Sequence, residues 1–256
     1  MSVISFANEM LGEDLKEIGF QRKKGTEWFK IIGGCIYLNV FVREVHGFLD
    51  IYCKARALFS PLLDTYGWMH NVNLIYREIE RSKGSDGCAL HYEEDDADYS
   101  QKMILTGREM FSCVKPVLAE VKDIETCYEA NEKLGWLEVF HGKGVLFGHP
   151  YLREEHTSVP PEDGFFMLCA MDRLEEGADY LKRAISNYKR DLSYRALSDS
   201  FKEQLVKEEK SRYEHYIQMI EAHDYNGIKE IMLKNYNEAC EKLEIKYRIK
   251  INIVNI

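Results

Sequence analysis

From Val3 to Ile18 the apolar residues Val3, Phe6, Ala7, Met10, Leu11, Leu15 and Ile18 recur every three or four positions, which puts them on one stripe of an opening helix. Gly19 stops that helix in a left-handed conformation, Phe20 plugs the core beneath it, and Arg22-Lys23-Lys24-Gly25 reads as a solvated turn. The period then shortens. Trp28 to Ile32, Cys35 to Val42 and Phe48 to Cys53 are rich in aromatic and β-branched residues and separated by Gly33-Gly34 and His46-Gly47, so three antiparallel strands are predicted. Residues 60–82 mix strand and helix signals, and Cys88 to Tyr92 reads as a fourth strand.

The spacing of Ile104, Met110, Phe111, Val114, Leu118 and Val121 predicts a long helix that Pro116 must kink or break. A second helix is predicted over Ile124 to Leu134, ended by Gly135, and a domain boundary is placed there: an α+β module over 1–135 and a mainly helical region over 136–256. Breakers crowd 136–161, after which the chain reads helical to Glu241. Its three stripes, Leu174 to Leu192, Phe201 to Ile220 and Ile228 to Leu243, predict a layer of three antiparallel helices, with Ser198 and Asp224 as N-caps. Tyr247, Ile249, Ile251 and Ile253 alternate with polar residues as a short terminal strand does. No internal repeat is visible. The fold class is α+β: an N-terminal helix with an antiparallel sheet and flanking helices, then a layer of antiparallel helices.

The passage Leu15-Lys16-Glu17-Ile18-Gly19-Phe20-Gln21-Arg22-Lys23-Lys24-Gly25, with Trp28-Phe29-Lys30 and the strand Ile36 to Val42 after it, resembles the start of an uncharacterised bacterial domain family of unknown function. The match covers about the first hundred residues. What it implies is an α+β accessory module, some small bacterial folds of this look being immunity or antitoxin proteins; no catalytic residues come with it.

Charge changes the picture more than composition does. The 34 Lys+Arg against 43 Asp+Glu leave the chain at −9, which disfavours general binding to phosphate backbones. The densest acid stretch, Glu93, Glu94, Asp95, Asp96 and Asp98, lacks the alternating ligands and central glycine of a calcium loop. Its bland role is a solvated connector whose Asp98 caps the next helix, and its sharper role is to steer a basic protein partner. The best basic cluster, Lys182, Arg183, Lys189, Arg190 and Arg195, is interrupted by Asp179 and Asp191 and reads as a solvated helix face.

For chemistry, His141, His149 and His156 with Glu154 fall in the breaker-rich stretch, and three imidazoles with a carboxylate suit a divalent metal. With Glu154 or Glu155 as general base they form the alternative reading, a metal-assisted hydrolase. The spacing matches no established zinc motif, and no nucleophile elbow or phosphate loop is present. Seven widely spaced cysteines without a C-x-x-C pair suit a reducing compartment, and neither a signal peptide nor a stretch of about 20 apolar residues is found, so the cytoplasm is expected. The expectation is therefore a non-enzymatic cytosolic binding protein of the immunity or antitoxin kind, without cofactor or membrane, that meets a basic partner through its acidic surface.

Overall fold

The computed structural model describes residues 2–61, 70–73, 75–76, 90, 97–134, 161–192 and 199–245. The chain divides into two compact units, one of Met1–Arg56 with Asp64–Pro150, the other of Ala57–Leu63 with Tyr151–Ile256. The architecture is α+β, as the periodicity predicts.

The first unit opens with α1 (Val3–Glu17), capped by the Ser2 side chain, which accepts from the Ser5 amide. Its stripe of Phe6, Met10, Leu11 and Leu15 is buried. Gly19, at φ 83°, ends the helix, and Phe20 is buried below it as expected. A five-stranded antiparallel sheet follows in simple order: β1 (Gln21–Lys24), β2 (Glu27–Ile32), β3 (Ile36–Val45), β4 (Phe48–Ala57) and β5 (His70–Asn71). The expected turn at 22–25 is thus corrected: Gln21 and Arg22 pair with Phe29 and Trp28. All four β1 residues are exposed, so an edge strand carrying three cations has no apolar alternation to betray it.

The β3–β4 turn uses His46 and Gly47 at φ 52° and 79°, the two positive angles of a type I′ hairpin turn. Cys88 to Tyr92 lies outside the described residues except for Leu90, whose carbonyl accepts from the Leu49 amide at 2.8 Å. Asn73 extends the ladder beyond the short β5 by a side chain: it accepts from the Ile51 amide at 3.0 Å and donates to the Leu49 carbonyl at 2.9 Å.

Of the kink or break expected at Pro116 the chain takes the break, into α2 (Ala97–Ser112) and α3 (Lys115–Ala119). Proline sits in the first turn of α3, where its missing N–H costs nothing. Helix α4, over 124–134, matches the predicted span. Asp123 and Thr126 cap it reciprocally, the Thr126 amide donating to Asp123 Oδ1 at 2.8 Å and the Asp123 amide to Thr126 Oγ1 at 3.0 Å.

The second unit holds α5 (Pro161–Ala170), α6 (Leu174–Leu192), α7 (Asp199–Glu221) and α8 (Tyr225–Lys242). The expected three helices are four, because the chain turns at Asp172, which takes φ 60° without being glycine. The predicted cap Asp224 does accept from the Gly227 amide at 3.1 Å; Ser198, the boundary near Gly135 and the terminal strand at 247–253 lie outside the described residues.

The turns after α5 and α7 close alike, with the same backbone bonds that also end α1 and α8. Met171, Asp172 and Arg173 donate to Met167, Cys169 and Leu168, and Ala222, His223 and Asp224 donate to Gln218, Ile220 and Met219, each bond recurring 51 positions later. Helices α5–α6 and α7–α8 are therefore two hairpins with one turn design, the 6→1 and 5→2 closure of a Schellman cap.

Candidate functional site

The first strand pairings give the sheet two chemically distinct faces. Trp28, Lys30 and Ile32 pair with Val40, Leu38 and Ile36, and the Lys30 ammonium donates to the Ile18 carbonyl at 2.9 Å, which sets the end of α1 over this face. On the other face Glu27, Phe29 and Ile31 oppose Phe41, Asn39 and Tyr37. Counting back from the His46-Gly47 turn brings Tyr52 opposite Phe41, and the two rings stack at 5.0 Å; Phe29 and Tyr37 stack at 6.1 Å. Asn39 ties this face together, donating to Glu27 Oε1 at 2.9 Å and to the Trp28 carbonyl at 3.1 Å. Burial, with Glu27 beside it, holds the Tyr37 phenol far above its usual range. These are the features of a settled polar network and place no nucleophile beside a base.

Several of the described cations meet acids. Lys115 at the head of α3 reaches Asp14 at 2.5 Å and Glu17 at 2.7 Å on α1. Lys133 meets Glu120 at 2.9 Å, Arg173 meets Glu176, Lys210 meets Glu214 at 3.6 Å, and Lys23 meets Glu27 at 3.6 Å. Of the basic cluster singled out in the sequence, the side chains of Lys182 and Arg183 are described. Lys182 lies between Asp179 at 3.8 Å and Glu221 at 3.4 Å, and Arg183 sits over the Tyr180 ring at 5.5 Å. The side chains of Lys189, Arg190 and Arg195 lie outside the described residues.

Of the acid stretch, Asp98 alone is described. It is exposed and sits inside the first turn of α2, so it is no N-cap; there it complements the helix dipole. Glu93, Glu94, Asp95 and Asp96, like His141, His149, His156 and Glu154, lie outside the described residues. Among the described residues no three His, Cys, Asp or Glu side chains gather as metal ligands, and no helix is long and apolar enough to cross a membrane. A shallow open depression on α8, lined by Glu230, Leu233, Lys234, Asn237, Glu238 and Glu241, is formed by one helix face and has no walls to enclose a substrate.

One group escaped the sequence reading. Glu162, in the first turn of α5, is buried, with Arg212 and Tyr216 of α7 beside it. Phe165 stacks on Tyr216 at 5.3 Å, and Phe166 meets the same ring edge-on. An acid next to Pro161 reads as an ordinary helix start, so its signal in the sequence was only its nearness to the apolar run Phe165 to Met171.

No family model, no curated protein and no solved structure matches this chain.

Proposed function

We propose that the chain is a non-enzymatic binding protein, of the immunity or antitoxin kind, whose acidic exterior engages a basic protein. The observation that carries this reading is the distribution of charge. Among the described residues only Arg56, Glu162 and Asp163 are buried charges, and over the whole sequence 43 acids stand against 34 bases. Several cations are paired with carboxylates, and Lys115 and Lys182 each take two. Such a field accelerates encounter with a basic partner and repels nucleic acid.

Two further considerations support it. Cys35, Cys53, Cys113, Cys127, Cys169 and Cys240 are free thiols, as suits a protein working in the reducing cytoplasm. The resemblance of the N-terminal segment to a bacterial accessory family points the same way. The stretch Glu93, Glu94, Asp95, Asp96 and Asp98 is the proposed contact, being the densest anionic run of the sequence.

The test is affinity capture from the producing cell, followed by titration of the purified pair. A stoichiometric complex with a basic protein, weakening about tenfold or more between about 0.05 and 0.5 M salt, is expected. A chain that elutes alone at both salt levels, or a partner held with salt-independent affinity, would contradict the reading.

A further inference from the structure

The first turn of α5 sets a carboxylate where water does not reach. Glu162 is 1% exposed, and its contacts are long for a charged group. Arg212 Nε and Nη2 donate to it at 3.2 and 3.3 Å and the Tyr216 hydroxyl at 3.4 Å, against about 2.7–2.9 Å for a well-formed charge-assisted bond. Arg212 divides its guanidinium between this carboxylate and solvent, its side chain being 40% exposed. The nearby anions, Asp163 on the same helix and Glu209 on α7, oppose ionisation. From α6 the residue set against this turn is Tyr180, whose ring meets Gly164. The helix start itself favours an anion, but only by a fraction of what burying one costs.

We propose that Glu162 is a proton-controlled clamp between the two hairpins of the second unit, holding the first turn of α5 firmly on α7 when neutral and loosely when ionised. An ionised Glu162 must be stripped of water for three long bonds, whereas the neutral acid gives up little and keeps the same neighbours. Released from α7, the carboxyl titrates as a free glutamic acid. Docked, burial pushes it upward, and Arg212 offsets only part of that. The docked state therefore binds the proton more tightly. Its advantage is complete below the free value and is lost as pH rises through the raised one.

Amide hydrogen exchange on the full chain, at about pH 5 and about pH 7.5 with intrinsic rates divided out, reads the clamp directly. In the wild type, protection of α5 relative to α8 falls several-fold from the lower to the higher pH. Glu162→Gln keeps the shape and removes the charge; its α5 is expected to be at least about threefold better protected than wild type at the higher pH, with no dependence on pH. Arg212→Gln moves the other way, losing about tenfold at the higher pH and little at the lower. Lower α5 protection in Glu162→Gln, a wild-type pH dependence persisting in it, or equal losses in Arg212→Gln at both pH values would overturn the proposal. So would a Glu162→Gln chain that fails to fold, since the ionised pair would then be required. No partner enters the measurement, so its outcome is independent of the binding function.

Discussion

Gly107 lies inside α2, where replacing glycine by alanine ordinarily stabilises by about 1 kcal/mol. Here a Cβ would collide with the Met10 side chain of α1, and the Arg108 guanidinium beside it donates to the Glu9 carbonyl at 2.7 Å, fixing the same helix contact. Gly107→Ala is therefore expected to destabilise, by about 1–3 kcal/mol in urea unfolding. Asn131 is a second such position. Its Nδ2 donates to the Ala55 carbonyl at 2.7 Å and to the Cys127 carbonyl at 2.9 Å, tying α4 to β4 in the core of the first unit. Asn131→Ala leaves the strand carbonyl without that donor, and a loss of about 1–3 kcal/mol is expected by the same measurement. Neither role is legible in the sequence, where Gly107 is an unexplained break in a helix pattern and Asn131 a polar residue among others. Gly19 and Phe20 are the contrary case, because a glycine followed by an aromatic residue at the end of an apolar stripe states its own geometry.

The helices and strands that were legible are those with a buried stripe on an otherwise polar element: α1, α4, β2 to β4 and the long helices of the second unit. What was hidden had no such contrast. β1 is polar on both faces, and the turn between α5 and α6 contains neither glycine nor proline, so Pro161 to Leu192 reads as one run. That turn, its counterpart at His223 and the end of α8 at Glu244 hold non-glycine residues at φ 60°, 56° and 56°. All three carry the conformational cost that glycine removes. Glu244→Gly, which lies in an exposed cap, is expected to raise the stability of the second unit by about 1 kcal/mol, read as a higher urea midpoint. No change, or a lower midpoint, would show that the Glu244 side chain contributes more than its backbone strain costs. The acid stretch and the histidine cluster were legible as chemistry, but short runs of like residues fix no three-dimensional arrangement.

At the scale of the whole molecule, the described thiols and the charges carry the remaining predictions. Burial pushes the Cys113 thiol up to about 11 and lifts Cys169 further, so neither supplies thiolate near neutral pH. Both should react with a thiol reagent at least about a hundredfold more slowly in the native chain than in urea, as peptide mass analysis of labelled sites would show. By contrast, nearly all the charged groups of the described residues lie outside the core, and acids outnumber bases in the sequence. Lys115 and Lys182 each satisfy two carboxylates, and the acids still exceed the bases. Through that bias the molecule is proposed to find its partner. The most direct test is the association rate of the captured basic protein with a chain carrying Glu93→Gln, Glu94→Gln, Asp95→Asn, Asp96→Asn and Asp98→Asn together. The rate is expected to fall about tenfold or more at low salt while the dissociation rate changes little. An association rate equal to wild type at low salt would contradict the account.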